Sequence, residues 1–354
     1  MSLLGLDIGT RTIKAVKLKK RSRQYYLDNY FLYDLLNSNK DYPATSNTES
    51  VLKNAIKTNG LKGQKVSCSV SENDVLNFEL TLPRMPTKET DIAVMHEVST
   101  QMDVPQTEIS FDYFIRKNIG TSVKDQISIK AYCMRKHEIA TRTKLLSDVN
   151  LKPDSIEPMM LATTAMLDFN GYLAAGKSWI VFDMGESLIT SGLVINRELI
   201  LTRSELTSCG AVNRALNEHL KCGYEKAEQL KLQYDFASGG NAQNQADTIM
   251  DEMYTKITGK LREMIEVYRD FTTSSGDIGG ILLSGGGSRI KNIDQVLQLF
   301  FKTPVIVVNP FRHIDVSRTH QQSSPSEFDK IASYMSTAVG LALTDFNLGD
   351  GDEK

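Results

Sequence analysis

The sequence predicts a two-lobed α/β protein with a phosphate-binding cleft between its lobes. Three stretches predict it. LLGLDIGTRTIKAVKL, from Leu3 to Leu18, reads as strand, tight turn, strand. SWIVFDMGESLITSGLV, from Ser178 to Val194, repeats that pattern far downstream. ILLSGGGSRI, from Ile281 to Ile290, is a short strand running into three glycines and a helix start.

In both hairpins an apolar run ends in an acid, Asp7 or Asp183, and a glycine follows two residues later, Gly9 or Gly185. A glycine at a hairpin tip lets an anion approach backbone N–H groups closely, and Thr10, Thr12 and Lys14 add hydroxyls and positive charge. An aspartate at the strand end can hold a hydrated Mg²⁺ beside phosphates. Two copies of one pattern imply two similar units facing each other across a cleft. Gly285, Gly286 and Gly287 allow a strand-to-helix turn to lie flat against a ligand ring or phosphate.

The remaining elements follow in order. The stretches Leu3–Lys20 and Gln24–Leu35 supply three strands. Asn37–Ser50 is polar, carries Pro43, and is expected to be a loop. Glu49–Thr58 has helical spacing, and Val66–Val70 and Val75–Leu82 alternate as strands. Pro83–Pro86 marks a boundary. Thr87 is expected to cap a helix running to about Met102. Two strands (Ile109–Arg116, Gln126–Met134) and a helix (Lys136–Val149) complete a compact unit over 83–150. The second lobe begins near Gly176. It holds the Asp183 hairpin, a strand at Glu198–Thr202, helices at Gly210–Leu220 and Tyr224–Tyr234, and a long helix at Ala246–Phe271. Ser238–Gln245 and Ser317–Glu327 are expected to be exposed, polar and irregular. Ile331–Thr344 is expected to be a helix packing back on the first lobe.

Composition narrows the function. The 354 residues exceed one simple core. A net charge of −2 gives no basic field for nucleic acid. The basic run Lys17–Arg23 reads first as a solvated face, with lipid headgroups or an acidic partner as the alternative. No window is apolar for long enough to cross a bilayer, and no signal-peptide pattern opens the chain. The acidic end, LGDGDEK, would be repelled by an anionic leaflet, so membrane association is expected through a partner. Cys68, Cys133, Cys209 and Cys222 lack metal or redox spacing and read as free thiols. The five histidines are scattered and define no site.

Taken in this order and spacing, LDIGTRTIKAV, FDMGESLIT and LLSGGGSRI resemble the two phosphate motifs and the adenosine motif of the actin-like ATPase superfamily. SIEPMMLATTA (Ser155–Ala165) is similar to its segment connecting the halves. GYEKAEQLK (Gly223–Lys231) is similar to the helix whose Glu and Lys reach the nucleotide sugar. LTLPRMPTKETDIAVMHEVSTQMDVPQTEISFDYFI, PVIVVNPF and MSTAVGLAL resemble the PilM family of type IV pilus assembly proteins, relatives of the division protein FtsA. The resemblance implies an actin-like (ribonuclease H-like) ATPase fold. Its first-lobe core would be 1–82 with 151–175 and 331–346, its FtsA/PilM-type insert 83–150, and its second lobe 176–330 with a helical part at about 210–275.

Combined with the residue chemistry, the resemblance implies these roles. Backbone N–H groups of Gly9, Thr10 and Arg11, with Thr12 and Lys14, hold one side of ATP's phosphates. Gly185 through Ser187 hold the other. Asp7 and Asp183 hold Mg²⁺, through its waters. Gly285, Gly286, Gly287 and Arg289 border the adenine. Glu228 and Lys231 reach the ribose. Glu157 is the candidate base or water-positioner. Met184, Glu186 and Leu188 depart from the family pattern: they bring bulk and a negative charge to the phosphate side. The expected function is therefore ATP binding with slow or no turnover, in a cytoplasmic component recruited to the inner-membrane platform of a pilus or related secretion system. Its expected partner is the N-terminal cytoplasmic tail of a PilN-like membrane protein, gripped between first lobe and insert. Strands Ile109–Arg116 and Gln126–Met134 and helix Glu89–Met102 would form the wall. Other platform or motor proteins and self-association are further options. An FtsA-like filament-forming division protein and a small-molecule (sugar) kinase are the alternatives.

Overall fold

The computed structural model describes residues 3–22, 24–35, 48–116, 125–205, 208–236, 244–271, 278–317, 319 and 325–347. The first sheet contains β1 (Leu4–Ile8), β2 (Thr12–Arg21), β3 (Gln24–Asp34), β4 (Lys65–Val70), β8 (Lys152–Pro158) and β14 (Ile314–Asp315), in the order β14-β3-β2-β1-β4-β8. The second contains β9 (Ser178–Met184), β10 (Ile189–Ile195), β11 (Glu198–Glu205), β12 (Ile278–Ser284) and β13 (Val305–Val307), in the order β11-β10-β9-β12-β13.

The internal repeat seen in the motifs is a repeat of topology. In each sheet a three-stranded antiparallel meander, β1-β2-β3 or β9-β10-β11, continues from its first strand into two parallel strands. The hairpins match residue for residue. Ile8 pairs with Ile13 and Met184 with Ile189, so each tip has four residues.

Helices α4 (Met159–Phe169) and α10 (Ser336–Asn347) pack in a core shared by the two sheets, where Met160, Met166, Val339 and Ala342 join Val16, Leu18, Trp179 and Val181. Packing there is tight enough to demand glycine. A Cβ on Gly340 would lie 1.8 Å from the Ala162 carbonyl oxygen, and one on Gly5 2.0 Å from that of Ala338. Helix α1 (Thr48–Thr58) covers the outer face of the first sheet with Val51, Leu52, Ala55 and Ile56. On the second sheet α5 (Cys209–Leu220), α6 (Tyr224–Gln233), α7 (Gln245–Phe271) and α8 (Ile293–Phe301) share one core. The α7 stripe of Met253, Ile257, Leu261, Met264 and Tyr268 is buried there, as its helical spacing requires.

The insert differs from expectation at both ends. Its three-stranded sheet, ordered β5-β7-β6, takes β5 (Leu76–Pro83) along with β6 (Ile109–Ile115) and β7 (Gln126–Arg135). The unit thus begins near the 3₁₀ turn Glu72–Asp74 and not at residue 83. At its far end, α3 (Lys136–Asp148) sends Leu146 into the first-lobe core beside Leu4, Leu6 and Val66. α2 (Thr87–Met102) packs on the insert sheet through Val94 and Val98, and Ile139 of α3 joins Met134 and Tyr132 of β7 in a small cluster. Pro86 takes the cap position of α2 and Thr87 is its first helical residue. The sheet also reaches the second lobe: buried Arg116 bonds Glu198, and Lys130 Nζ donates to the Ile200 carbonyl oxygen at 3.1 Å.

The expected helix at Ile331–Thr344 is divided. α9 (Pro325–Ala332), a 3₁₀ turn at Ser333–Met335 and α10 follow one another. Ser317–Glu327 thus lies partly in α9, and Ser50 lies in α1. The rest of the expected irregular stretches falls mainly outside the described residues, as does the acidic C-terminus. Among the described residues no helix is long and apolar enough to cross a membrane.

Candidate functional site

The two hairpin tips and the glycine turn converge on one cavity of about 170 Å³. Its walls include every expected site residue except Arg289 and Glu157. Each hairpin closes in the same way: the Gly9 N–H donates to the Thr12 carbonyl oxygen at 3.0 Å, and the Gly185 N–H to that of Leu188 at 3.0 Å. The Gly9 and Gly185 donors expected for phosphate are therefore spent inside the turns.

The carboxylates Asp7 and Asp183 come from equivalent positions of the two repeats, and both are buried. Lys14 pairs with Asp7, and Ser69 on β4 donates to Asp7 Oδ1 at 2.7 Å. Burial pushes the Asp183 carboxyl up, and the nearby Asp7 charge adds to this against the pull of Lys14. Among the described residues no group of three or more His, Cys, Asp or Glu side chains could hold a metal alone. Two carboxylates suit Mg²⁺, which keeps waters and shares its coordination with phosphates.

Arg11 spans the cleft. It donates to Asp34 of its own lobe at 3.2 Å and to Glu228 on α6 at 2.7 Å, and lies 3.9 Å from Glu186. Glu228 also accepts from Asn213 at 2.5 Å and Lys231 at 2.6 Å. Burial raises the Glu228 carboxyl, but Lys231 and Arg11 outweigh it and hold it below the usual range. The side chain of Glu186, the charge that departs from the family pattern, turns away from the tip. Tyr224 donates its hydroxyl to it, and Gly210 at the start of α5 leaves room for it, since a Cβ there would lie 2.5 Å from Glu186 Oε1. The positive end of α5 offsets part of this charge.

The three glycines serve protein contacts as well as any ligand. Gly285 has φ 78°, and its Cβ would lie 2.8 Å from the Met184 carbonyl oxygen; that of Gly287 would lie 2.4 Å from Cys209 Sγ. Arg289 stands behind Tyr334, which does line the cavity. Glu157 lies on edge strand β8, one strand beyond Ser69, and accepts from Ser67 at 3.0 Å and Ser155 at 2.9 Å. β4 stands between it and Asp7, so the structure does not bring Glu157 to the cavity. Sequence reasoning missed Ser69, Asn213 and Tyr334, which lie in no recognisable motif, and Tyr224, which lies inside GYEKAEQLK beside the residues assigned to the sugar.

A second groove of about 570 Å³ opens where the insert meets the first lobe. Val70, Met134 and Leu145 line it, with the charged residues Glu49, Asp74, Glu138, Asp148, Arg142 and Lys144. Residues of α3 line one side of it, and Met134 of β7 lies in its wall.

A family model described as type IV pilus assembly protein PilM matches residues 5–346. The structure of a PilM–PilN type IV pilus biogenesis complex is similar, with 18% identity, TM-score 0.79, 97% of this chain and 98% of that chain covered. MreB5 of Spiroplasma citri bound to AMPPNP has 14% identity and TM-score 0.52, over 99% and 97%. Ethanolamine utilization protein EutJ from Carboxydothermus hydrogenoformans has 13% identity and TM-score 0.50, over 97% and 89%. With the repeated sheet topology, these likenesses show the expected two-lobed actin-like fold.

Proposed function

The chain belongs to the family of type IV pilus assembly protein PilM, and from that premise we propose that it binds Mg-ATP in the cavity between its lobes and acts at the cytoplasmic face of the inner membrane. The observation that carries the nucleotide reading is the meeting of Asp7 and Asp183, from two repeats, in one cavity. Thr10 and Arg11 amides, the Thr12 hydroxyl and Lys14 take one side of the phosphates. The turn from Gly185 to Ser187 takes the other, and Glu228 and Lys231 take the ribose. Mg²⁺, when bound with the nucleotide, neutralises phosphate charge between the two aspartates. The 170 Å³ of space is below the roughly 300–1,000 Å³ of ligand pockets, so entry requires Lys14 and Arg11 to leave their carboxylates. Turnover is slow or absent, because Glu157 is tied to two serines away from the phosphates.

The recruiting partner is the N-terminal tail of a PilN-like protein, and the groove beside α3 is its seat. Tails at a cytoplasmic membrane face are rich in Lys and Arg. The groove's four carboxylates outnumber its two cations, Arg142 and Lys144, and with Val70, Met134 and Leu145 beside them it suits such a tail. Thermal melting tests the nucleotide reading: Mg-ATP raises the melting temperature of the wild type and raises that of Asp183→Asn less. An unmoved wild type contradicts it. Capture on an immobilised tail peptide tests the partner, with loss on Met134→Arg as the expected result.

A further inference from the structure

We propose that Tyr334 is the surface on which the base of the bound nucleotide stacks, and that Arg289 is its positioning residue; the inference rests on the nucleotide reading of the cleft. Tyr334 lies in the 3₁₀ turn Ser333–Met335, just before α10. Its ring reaches the glycine turn of the other lobe, where a Cβ on Gly286 would lie 2.6 Å from Tyr334 Cε1. Glycine at 286 is thus what admits the ring.

Arg289 holds the ring from behind. Its guanidinium carbon sits 5.2 Å from the ring centroid, and Nη1 donates to the Tyr334 hydroxyl at 3.1 Å. A planar, delocalised guanidinium suits both contacts at once. Tyr334 is half-buried and forms part of the cavity wall, whereas its neighbours Ser333 and Met335 are buried. A ring pinned through its hydroxyl and by a cation is pre-organised, so little rotamer entropy is lost when a base arrives. Arg289, Tyr334 and the base then form three layers beside Gly286 and Gly287 of the cavity wall. Purines offer the larger stacking face, so the site discriminates purine from pyrimidine nucleotides there, while the hairpins hold phosphates whatever the base.

The test titrates the full chain with Mg-ATP, Mg-CTP and magnesium tripolyphosphate. Wild type binds ATP more tightly than CTP. Base stacking on an aromatic side chain is sequence-tolerant and substantial, so Tyr334→Ala weakens ATP by roughly 5- to 100-fold and leaves tripolyphosphate unchanged. Tyr334→Phe stays within about twofold for ATP, since the ring remains. Arg289→Ala narrows the ATP-to-CTP ratio and keeps tripolyphosphate affinity, which a merely structural role would not do. The proposal is overturned if Tyr334→Ala binds ATP like the wild type, or loses tripolyphosphate in parallel. Wild type that takes up neither ATP nor tripolyphosphate removes the nucleotide reading itself, a result distinct from both.

Discussion

Arg11, at the tip of the first hairpin, donates to Glu228 of α6 across the cleft at 2.7 Å. The two side chains are only 15% and 10% exposed, so the pair is poorly screened. Glu228, Asp34 and Glu186 together stabilise the guanidinium against its burial. Across the cleft the lobes are thereby tied through these side chains, in addition to the core that the two sheets share. Arg11→Ala should loosen them. With spin labels at exposed positions 152 and 226, in a Cys222→Ser background, wild type gives one narrow distance with or without Mg-ATP. Arg11→Ala gives a broad distribution that Mg-ATP narrows. A narrow distribution in the unliganded variant would refute the tie.

Glu186 places a carboxylate beside the phosphate turn, tempered by Tyr224, Arg11 and the start of α5. A like charge about 4 Å away costs about 1 kcal/mol in a water-like medium. Glu186→Gln is therefore expected to tighten Mg-ATP by roughly fivefold, read by competition with a fluorescent nucleotide. Unchanged binding would refute the repulsion, and weaker binding would show that Glu186 serves the ligand.

Glu72, in the turn where the insert begins, accepts from the Met160 N–H at the start of α4 at 2.7 Å. Burial raises its carboxyl from the ordinary 4.5 to about 7, against the pull of that N–H and Lys130. Between those values the folded chain keeps a proton that the unfolded chain has released. Stability from this group is full below about pH 4.5 and falls as pH rises through 7. Glu72→Gln keeps an acceptor and cannot ionise. Denaturant melts at pH 5 and pH 8 should show wild type losing about 1–3 kcal/mol relative to the variant.

The shared core predicts a steric cost. Gly340→Ala pushes a methyl into the Ala162 carbonyl, 1.8 Å away, and backbone cannot yield cheaply. Overpacking of a dense core costs about 1–3 kcal/mol. Chemical denaturation should find at least that loss, whereas Gly60→Ala, whose Cβ meets nothing, should cost less despite its φ of +65°.

Much of the frame was legible because its signals are local. Asp7-Ile8-Gly9 and Asp183-Met184-Gly185 announce strand ends and turns within a few residues, and their repetition announces the paired sheets. The α7 stripe is equally local. What escaped was set by distant partners. Pro83 reads as a boundary, but β5 before it pairs with β7 some fifty residues later. α3 looks like part of the insert, yet Leu146 finds its neighbours in the first-lobe core. Glu157 follows the motif of the connecting segment, and only sheet order shows β4 standing between it and Asp7. Tyr334 carries no motif, and its place depends on the ring meeting Gly286 of the distant glycine turn. Glu186 reads as a repulsive charge until Tyr224 and Gly210 show where it turns.

Isothermal titration of the wild type, Asp7→Asn and Asp183→Asn with ATP, with and without Mg²⁺, tells whether the two hairpins share one nucleotide. Wild type with Mg²⁺ should take up one nucleotide per chain, and each variant should bind at least tenfold more weakly, because both hairpins hold the same ligand. No uptake by the wild type, or unchanged affinity in both variants, would contradict it.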